Sequence, residues 1–97
     1  MNKVVISPRA KADLSEIWDY TCRQWDVEQA EKYLRQLWAV IQQLPSNPAK
    51  SINIDDVRKG YQKALAGSHV IFFKATTHSD VQVVRVLHKR RDFERLL

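Results

Sequence analysis

The sequence contains few cysteines, few glycines and no long apolar run. Its single cysteine, Cys22, can neither close an intramolecular disulfide nor supply a structural zinc site alone. Two glycines are too few for a glycine-rich phosphate loop, and no apolar run approaches the roughly 18 residues of a membrane-spanning helix. The apolar stretch at residues 4–6 is also too short for a signal peptide. We therefore expect a cytoplasmic protein that is stabilised by packing and uses no nucleotide cofactor.

The three histidines do not form a metal-binding pattern. His69, His78 and His88 are scattered, without an HxxxH motif, a CxxC motif or a carboxylate cluster of the kind that metal sites use. A composition of 44% hydrophobic and 28% charged residues is that of a folded globular chain. The length predicts one domain over residues 1–97. Because the motifs that hold metals and nucleotides are missing, we expect no metal and no cofactor.

Positive charge is concentrated in the second half of the chain. Residues 1–49 carry six basic and six acidic side chains, whereas residues 50–97 carry ten and five. Five of the basic residues fall within the last thirteen positions, and they are Arg85, Lys89, Arg90, Arg91 and Arg95. The C-terminus is therefore the electropositive end, which suits nucleic acid, an acidic protein segment or an anionic membrane surface.

A short strand and two helices account for the first half. The β-branched run at residues 4–6 predicts the strand, and the serine-proline pair after it predicts the start of a helix. Apolar residues then recur every three or four positions up to Trp25, and Asp26 predicts the N-cap of a second helix. The same spacing continues to Leu44, so we expect an antiparallel helical hairpin.

The second half reads as loops and strands. A loop is expected at residues 45–48, and residues 49–60 are assigned to loop as well. Two short β runs, 61–66 and 69–74, flank Gly67-Ser68 and predict a β-hairpin.

The last strand has a different pattern from the hairpin. After a turn at residues 77–80, residues 81–87 are almost continuously apolar, which predicts a strand buried on both faces inside the sheet. Phe93, Leu96 and Leu97 have spacings that suit one short terminal helix.

Together these elements predict an α+β fold of two layers. An N-terminal strand precedes the antiparallel helical hairpin, which packs on an antiparallel β-sheet, and a short C-terminal helix or tail ends the chain. Trp18, Trp25, Tyr33 and Trp38 fall on the inward stripe of the helices, so we expect them in the core. Trp25 lies at the hairpin corner, where it is also placed to meet a partner.

The most informative stretch is Arg85 to Phe93, which reads RVLHKRRDF. The end of a strand here places one imidazole, that of His88, among guanidinium and ammonium groups. Such a cluster can bind phosphates or an acidic protein, and it can also perform acid/base cleavage of RNA. The same residues are consistent with a solvated basic tail in which His88 only makes a structural hydrogen bond.

Motifs over nearly the whole chain occur in a specific order. They are Ser7 with AKADL at 10–14, Ile17 and Tyr20; Trp25, Ala30 and Tyr33; Asn47-Pro48; VRKGY at 57–61; GSHVIFF at 67–73; and VRVLH at 84–88 with Asp92. In this order and spacing they resemble the ParE-type toxins of bacterial toxin-antitoxin modules, within the RelE/ParE superfamily.

The resemblance implies a helical hairpin on an antiparallel sheet, in agreement with the pattern above. It also implies a toxin that inhibits DNA gyrase by trapping its cleaved-DNA complex, by binding and not as an enzyme. The implied partners are gyrase and a cognate antitoxin, whose disordered C-terminal segment wraps the toxin in a hetero-oligomeric complex. No membrane partner is implied.

On this hypothesis we assign residues to two surfaces and none to catalysis. The surface that meets gyrase and its cleaved DNA is formed or flanked by Arg85, His88, Lys89, Arg90, Arg91 and Asp92. Antitoxin contacts are expected along the helical hairpin and an exposed sheet edge, at Trp25, Tyr33 and Phe73.

Two other functions stay open. The RelE-like branch of the superfamily cleaves messenger RNA on the ribosome. This chain has no tyrosine after Tyr61, so it lacks the tail tyrosine of many such nucleases, whereas His88 with Arg85 and Arg91 keeps RNA cleavage open. The other alternative is a non-toxic relative that only binds an antitoxin.

Overall fold

The chain forms a helical hairpin packed on a five-stranded sheet. The computed structural model describes residues 3–46, 51–76 and 80–97. Its elements are β1 (Val4–Ile6), α1 (Pro8–Gln24), α2 (Val27–Gln43), β2 (Ile52–Asn53), β3 (Tyr61–Ala66), β4 (His69–Ala75), β5 (Val81–His88) and α3 (Phe93–Leu96). They confirm the predicted α+β fold. The loop expected at Asn47-Pro48 and the turn residues 77–79 lie outside the described residues.

Side chains at the helix N-termini determine where both helices begin. The hydroxyl of Ser7 accepts a hydrogen bond from the Ala10 N–H at 3.1 Å, and Pro8 occupies the first helical position. Asp26 Oδ1 accepts from the Gln29 N–H at 2.7 Å. Only two residues separate α1 from α2, so the hairpin is tight, as the sequence predicts.

The sheet has the strand order β1-β5-β4-β3-β2, which confirms that β5 lies inside it. The pairings β2–β3, β3–β4 and β4–β5 are antiparallel, but β1 runs parallel to β5, so the expected antiparallel sheet is in fact mixed. The assignment of residues 49–60 to loop is also corrected, because Ile52–Asn53 pairs with β3 as an edge strand. Ile52 and Ile54 alternate as in a strand, but the alternation is short and the turn-like residues 55–60 follow it directly.

An extra residue in β5 changes which side chains face the helices. Phe72 pairs with Arg85 and Phe73 with Val83, so Val84 has no partner on β4. Because side chains alternate along a strand, this bulge shifts the alternation by one position. Val83 therefore faces the helices, while Arg85 faces away from them.

The helix-facing core contains Leu37 of α2 with Ile71 and Val83 of the sheet. Trp25 and Trp38 lie outside it, with 73% and 45% of their surface exposed, which corrects their placement in the core. Trp38 follows the buried Leu37 by one residue, and one residue rotates a helix by about 100°. The face of the helix that is buried is therefore narrower than the apolar face predicted from the sequence.

The opposite face of the sheet is covered by the C-terminal segment. The ring of Phe93 in α3 packs on Phe72, with 5.1 Å between centroids, and Leu96 and Leu97 join the same cluster. Arg58 Nη1 donates a hydrogen bond to the Leu97 carbonyl and holds the end of the chain. The short terminal helix predicted by the sequence is thus present as a cover for the second face.

Side chains at the start of α1 and within it form hydrogen bonds to the backbone of β5 where β1 does not pair with that strand. β1 pairs only with residues 81–83 of β5. Beyond them the Ser7 hydroxyl donates to the Val84 carbonyl at 2.8 Å, and the Asp13 carboxylate accepts the Val86 N–H at 2.9 Å. The backbone of β5 is therefore paired by side chains of α1 where the strand partner ends.

The Asp13 carboxylate also holds the guanidinium of Arg85. Arg85 Nε lies 2.8 Å from Asp13 Oδ2, and Arg85 Nη2 lies 3.0 Å from Asp13 Oδ1, with both residues buried. Arg85 Nη1 donates to the Leu96 carbonyl at 3.3 Å. The hydrogen bond to Asp13 raises the pKa of Arg85 above its ordinary value. Asp13 therefore joins α1, β5 and, through Arg85, α3.

We expect Asp13→Ala to be strongly destabilising, because it leaves the buried Arg85 guanidinium without its carboxylate and the buried Val86 N–H without an acceptor. The free energy of unfolding in urea should fall by about 3–5 kcal/mol. Asp19→Ala, at an exposed position of the same helix, is the matched control and should change it by less than about 0.5 kcal/mol. A loss under about 1 kcal/mol for Asp13→Ala would contradict this role.

Candidate functional site

The residues expected to meet the target do not form one surface. Arg85 is only 8% exposed and its guanidinium is bound to Asp13 and the Leu96 carbonyl. The bulge at Val84 turns it away from the helices into a position covered by α3. Its assignment to the target surface is therefore corrected, and Arg85 is a structural residue that supports the C-terminal segment.

The remaining residues lie together at the end of β5. We call residues 89–92 the basic turn; all four are exposed and they connect β5 to α3. Their backbone is tied to the sheet, because Lys89 N–H donates to the Ser68 carbonyl at 2.9 Å and Arg91 N–H donates to the His88 carbonyl at 2.9 Å. Arg90 N–H donates to His88 Nδ1 at 3.2 Å. The turn is thus an ordered platform for three cations.

The cations of the basic turn are free to meet a partner. Lys89, Arg90 and Arg91 form no ion pair with any residue that the structure describes. Asp92 stands at the N-cap position of α3, but its side chain makes no capping hydrogen bond. An exposed guanidinium that forms no ion pair within the protein can bind a phosphate or a carboxylate in bidentate fashion.

A cleft of about 320 Å³ opens beside the basic turn, between α1 and the ends of β4 and β5. Its lining residues are Asp13, Glu16, Ile17, Tyr20, His69, Val86, Leu87, His88 and Arg91. Asp13 and Glu16 were not among the predicted site residues. The sequence did offer one signal for Asp13. It is an acidic residue three positions after Ala10, on the face of the helix that the apolar spacing predicts to be buried.

Two histidines of this cleft face each other across neighbouring strands. His69 of β4 pairs in register with His88 of β5, and their ring centroids lie 5.4 Å apart in an edge-to-face arrangement. The Tyr33 hydroxyl of α2 accepts from the Ser68 N–H at 3.0 Å and lies 2.6 Å from His69 Nδ1. We assign the hydroxyl proton to this short contact, so that Nδ1 of His69 accepts and Nε2 carries the ring proton.

The pKa of His69 is lowered from 6.5 to about 4, mainly by burial and also by the charge of His88, whereas Asp13 opposes the shift. Tyr33, which donates to the neutral ring, also faces His69 from α2. His69 is therefore neutral at physiological pH.

The residues expected to contact an antitoxin have three different environments. Trp25 is 73% exposed at the hairpin corner and is accessible to a partner. Tyr33 is half-buried, and its hydroxyl is engaged inside the protein. Phe73 is 2% exposed in the helix-facing core of an interior strand, so its assignment to a partner surface is corrected.

The described parts of the chain show neither a metal-ligand cluster nor a spanning helix. Within residues 3–46, 51–76 and 80–97, no three His, Cys, Asp or Glu side chains are grouped in a way that would hold a metal ion. No helix in these ranges has the length and apolar character needed to cross a membrane.

We expect the stability of the protein to fall as the pH is lowered from 6.5 towards 4. An unfolded His69, with a pKa of 6.5, takes up a proton that the folded residue, with a pKa of about 4, does not. The contribution of neutral His69 is therefore complete above pH 6.5 and is lost as the pH falls through 4.

The test compares the wild type with His69→Asn in urea denaturation over a series of pH values. Asparagine keeps an acceptor near the Tyr33 hydroxyl but does not titrate, so the variant should lose less stability on acidification. In NMR spectra the wild-type His69 ring should titrate with a midpoint of about 4. A midpoint near the ordinary value of 6.5 would contradict the buried, neutral state.

A family model and a solved structure match this chain over most of its length. The model described as "ParE toxin of type II toxin-antitoxin system, parDE" matches residues 4–93. The solved structure is described as "Chromosomal ParDE TA system from P. aeruginosa"; it superimposes with a TM-score of 0.77 at 17% identity and covers 91% of this chain and 96% of that chain. At this identity the structural likeness shows the fold alone.

Two relatives are similar in sequence as well. Toxin ParE1 of Mycobacterium tuberculosis (strain CDC 1551 / Oshkosh) is 45% identical over 96 residues, which cover 99% of this chain and 98% of that protein. Toxin ParE1 of Caulobacter vibrioides is 40% identical over 84 residues, which cover 87% of this chain and 85% of that protein. From the family model and these relatives, we conclude that the chain belongs to the ParE toxin family of type II toxin-antitoxin systems.

Proposed function

We propose that this protein is a toxin that inhibits DNA gyrase by stabilising its complex with cleaved DNA, and that a cognate antitoxin neutralises it. Residues 1–97 would act as one toxin domain in the cytoplasm, where gyrase and DNA are found. Membership of the ParE family supports the toxin role. The observation that carries the choice of target is the basic turn, an ordered set of exposed cations without acidic partners among the described residues.

The basic turn suits a complex that contains DNA. Arg90 and Arg91 can each form paired hydrogen bonds to a phosphate, and Lys89 adds a third positive charge. Because the backbone of the turn is already hydrogen-bonded to β5 and to Ser68, little ordering is needed on binding. His88 lies at the base of the turn and is half-buried, so its main role in this proposal is to support Arg90.

Inhibition by binding agrees with the state of the histidines. His69 Nδ1 contacts the Tyr33 hydroxyl, and His88 Nδ1 accepts from a backbone N–H, so both atoms are engaged in structural hydrogen bonds. RNA cleavage remains the second candidate because His88 and Arg91 line one cleft with Glu16. A non-toxic antitoxin-binding relative is the third.

The antitoxin is proposed to dock at the hairpin corner. Trp25 and Val27 are 73% and 57% exposed there, which leaves apolar surface for a partner segment to cover. The net charge of +5 also favours an acidic partner. Of the three residues assigned to antitoxin contact by the sequence, Trp25 is the one that this proposal retains.

We expect purified toxin, added to gyrase, ATP and supercoiled plasmid, to accumulate cleaved DNA that remains bound to gyrase. The double variant Arg90→Gln/Arg91→Gln should need about tenfold more protein for the same cleavage, because two charge-assisted hydrogen-bond donors are lost. Its thermal unfolding should match the wild type, since both side chains are exposed.

The control removes the same charge elsewhere. Arg9→Gln/Lys11→Gln changes two exposed cations of α1 and should leave gyrase poisoning unchanged. Equal effects of the two double variants would show that net charge, and not the basic turn, is responsible. If the wild type produces no cleaved DNA, the gyrase proposal is wrong, and a translation assay with ribosome-bound message then distinguishes RNA cleavage from a non-toxic protein.

A further inference from the structure

We propose that Tyr33 is a positioning residue: from α2 it holds the basic turn in the geometry that binds the target, without touching the target itself. This inference rests on the proposed function of the turn. Tyr33 is half-buried and its hydroxyl is fully engaged by hydrogen bonds within the protein. Two separate chains of contacts start at that hydroxyl, and both end on backbone N–H groups of the basic turn.

The first chain of contacts runs through the β3–β4 turn. The Ser68 N–H donates to the Tyr33 hydroxyl at 3.0 Å, and the Ser68 carbonyl accepts from the Lys89 N–H at 2.9 Å. Ser68 is exposed and lies just after Gly67, so the Tyr33 hydroxyl provides it with an anchor on the helical layer. The hydroxyl thereby fixes the residue to which the start of the basic turn is attached.

The second chain of contacts runs through the paired histidines. The Tyr33 hydroxyl lies 2.6 Å from His69 Nδ1, and the His69 ring meets the His88 ring edge to face at 5.4 Å. His88 Nδ1 then accepts the Arg90 N–H at 3.2 Å. Fixing the His69 ring restricts the His88 ring, and the His88 ring in turn sets the backbone of Arg90.

Gly67 shows that the protein keeps space for this hydroxyl. A Cβ atom added at Gly67 would lie 2.8 Å from Tyr33 Cε1 and 2.9 Å from the Tyr33 oxygen, closer than side chains pack. Gly67 also has a φ of +57°, which favours glycine. A side chain at position 67 would therefore displace the Tyr33 phenol from its contact with the β3–β4 turn.

The test is Tyr33→Phe, which keeps the ring and removes only the hydroxyl. We expect the amide hydrogens of Lys89 and Arg90 to exchange about five to ten times faster than in the wild type. Exchange in the centres of β4 and β5 should change less than at these two positions. Gyrase cleavage should need about two to five times more variant protein, because the loosened turn must be ordered on binding.

Two further variants separate this role from a general loss of stability. Tyr61→Phe is the matched control, since the Tyr61 hydroxyl makes no hydrogen bond to the described residues, and its exchange and potency should equal the wild type. His69→Phe removes the Nδ1 acceptor but leaves the Tyr33 to Ser68 bond in place. It should speed exchange at Arg90 more than at Lys89.

The outcomes distinguish failure of this inference from failure of the gyrase proposal. Unchanged exchange at Lys89 and Arg90 in Tyr33→Phe overturns it, and so does an equal rise at all protected amides, which indicates a structural role only. Faster exchange with unaltered gyrase potency also overturns it, because the position of the turn would then not matter for binding. Failure of the gyrase proposal appears in the wild type itself, whereas the exchange measurements need no gyrase.

Discussion

The Asp13 carboxylate is the group on which the arrangement of this fold most depends. β1 pairs with only three residues of β5, so the rest of that strand edge would be open without help from α1. Asp13 closes it by accepting the Val86 N–H and by binding the Arg85 guanidinium. A buried carboxylate and a buried guanidinium each need a partner, because removing a charge from water is costly. The two groups therefore determine each other's position, and with it the position of α1.

The same ion pair separates the structural cation from the cations available for binding. Arg85 is held inside by Asp13 and by the Leu96 carbonyl, so it anchors α3 to the sheet. Four residues further along the chain, the basic turn begins, and its side chains are exposed. Basic residues in this short stretch therefore have two different roles, structural support and binding. Burial, and not residue type, determines which role each residue has. The anchored α3 and the hydrogen-bonded turn keep the free cations in a defined place.

Much of the fold was predictable because its signals are local. A capping side chain marks the start of α1 and of α2, and Gly67 marks the β3–β4 turn with its positive φ. The edge strand Ile52–Asn53 was missed, since the strand-like alternation of Ile52 and Ile54 is followed at once by turn-like charged residues, and the strand exists only through its pairing with β3. Phe73 and Arg85 were assigned to partner surfaces, although both are buried. A residue's exposure depends on which elements cover its strand, and that information is not local.

Amino-acid order alone settles the types of all elements except β2, together with the tight helical hairpin, the family and the basic C-terminus, since these depend on local patterns and on composition. The folded chain settles the parallel pairing of β1 with β5 and the bulge at Val84, because both depend on contacts between residues far apart in sequence. The bulge turns Arg85 away from the helices, where Asp13 reaches it around the edge of the sheet. Long-range pairing likewise brings Tyr33, His69 and His88 together beneath the basic turn. A helix or turn signal acts over a few residues, whereas the Tyr33–His69 and Asp13–Arg85 contacts span 36 and 72 positions and form only when the layers pack.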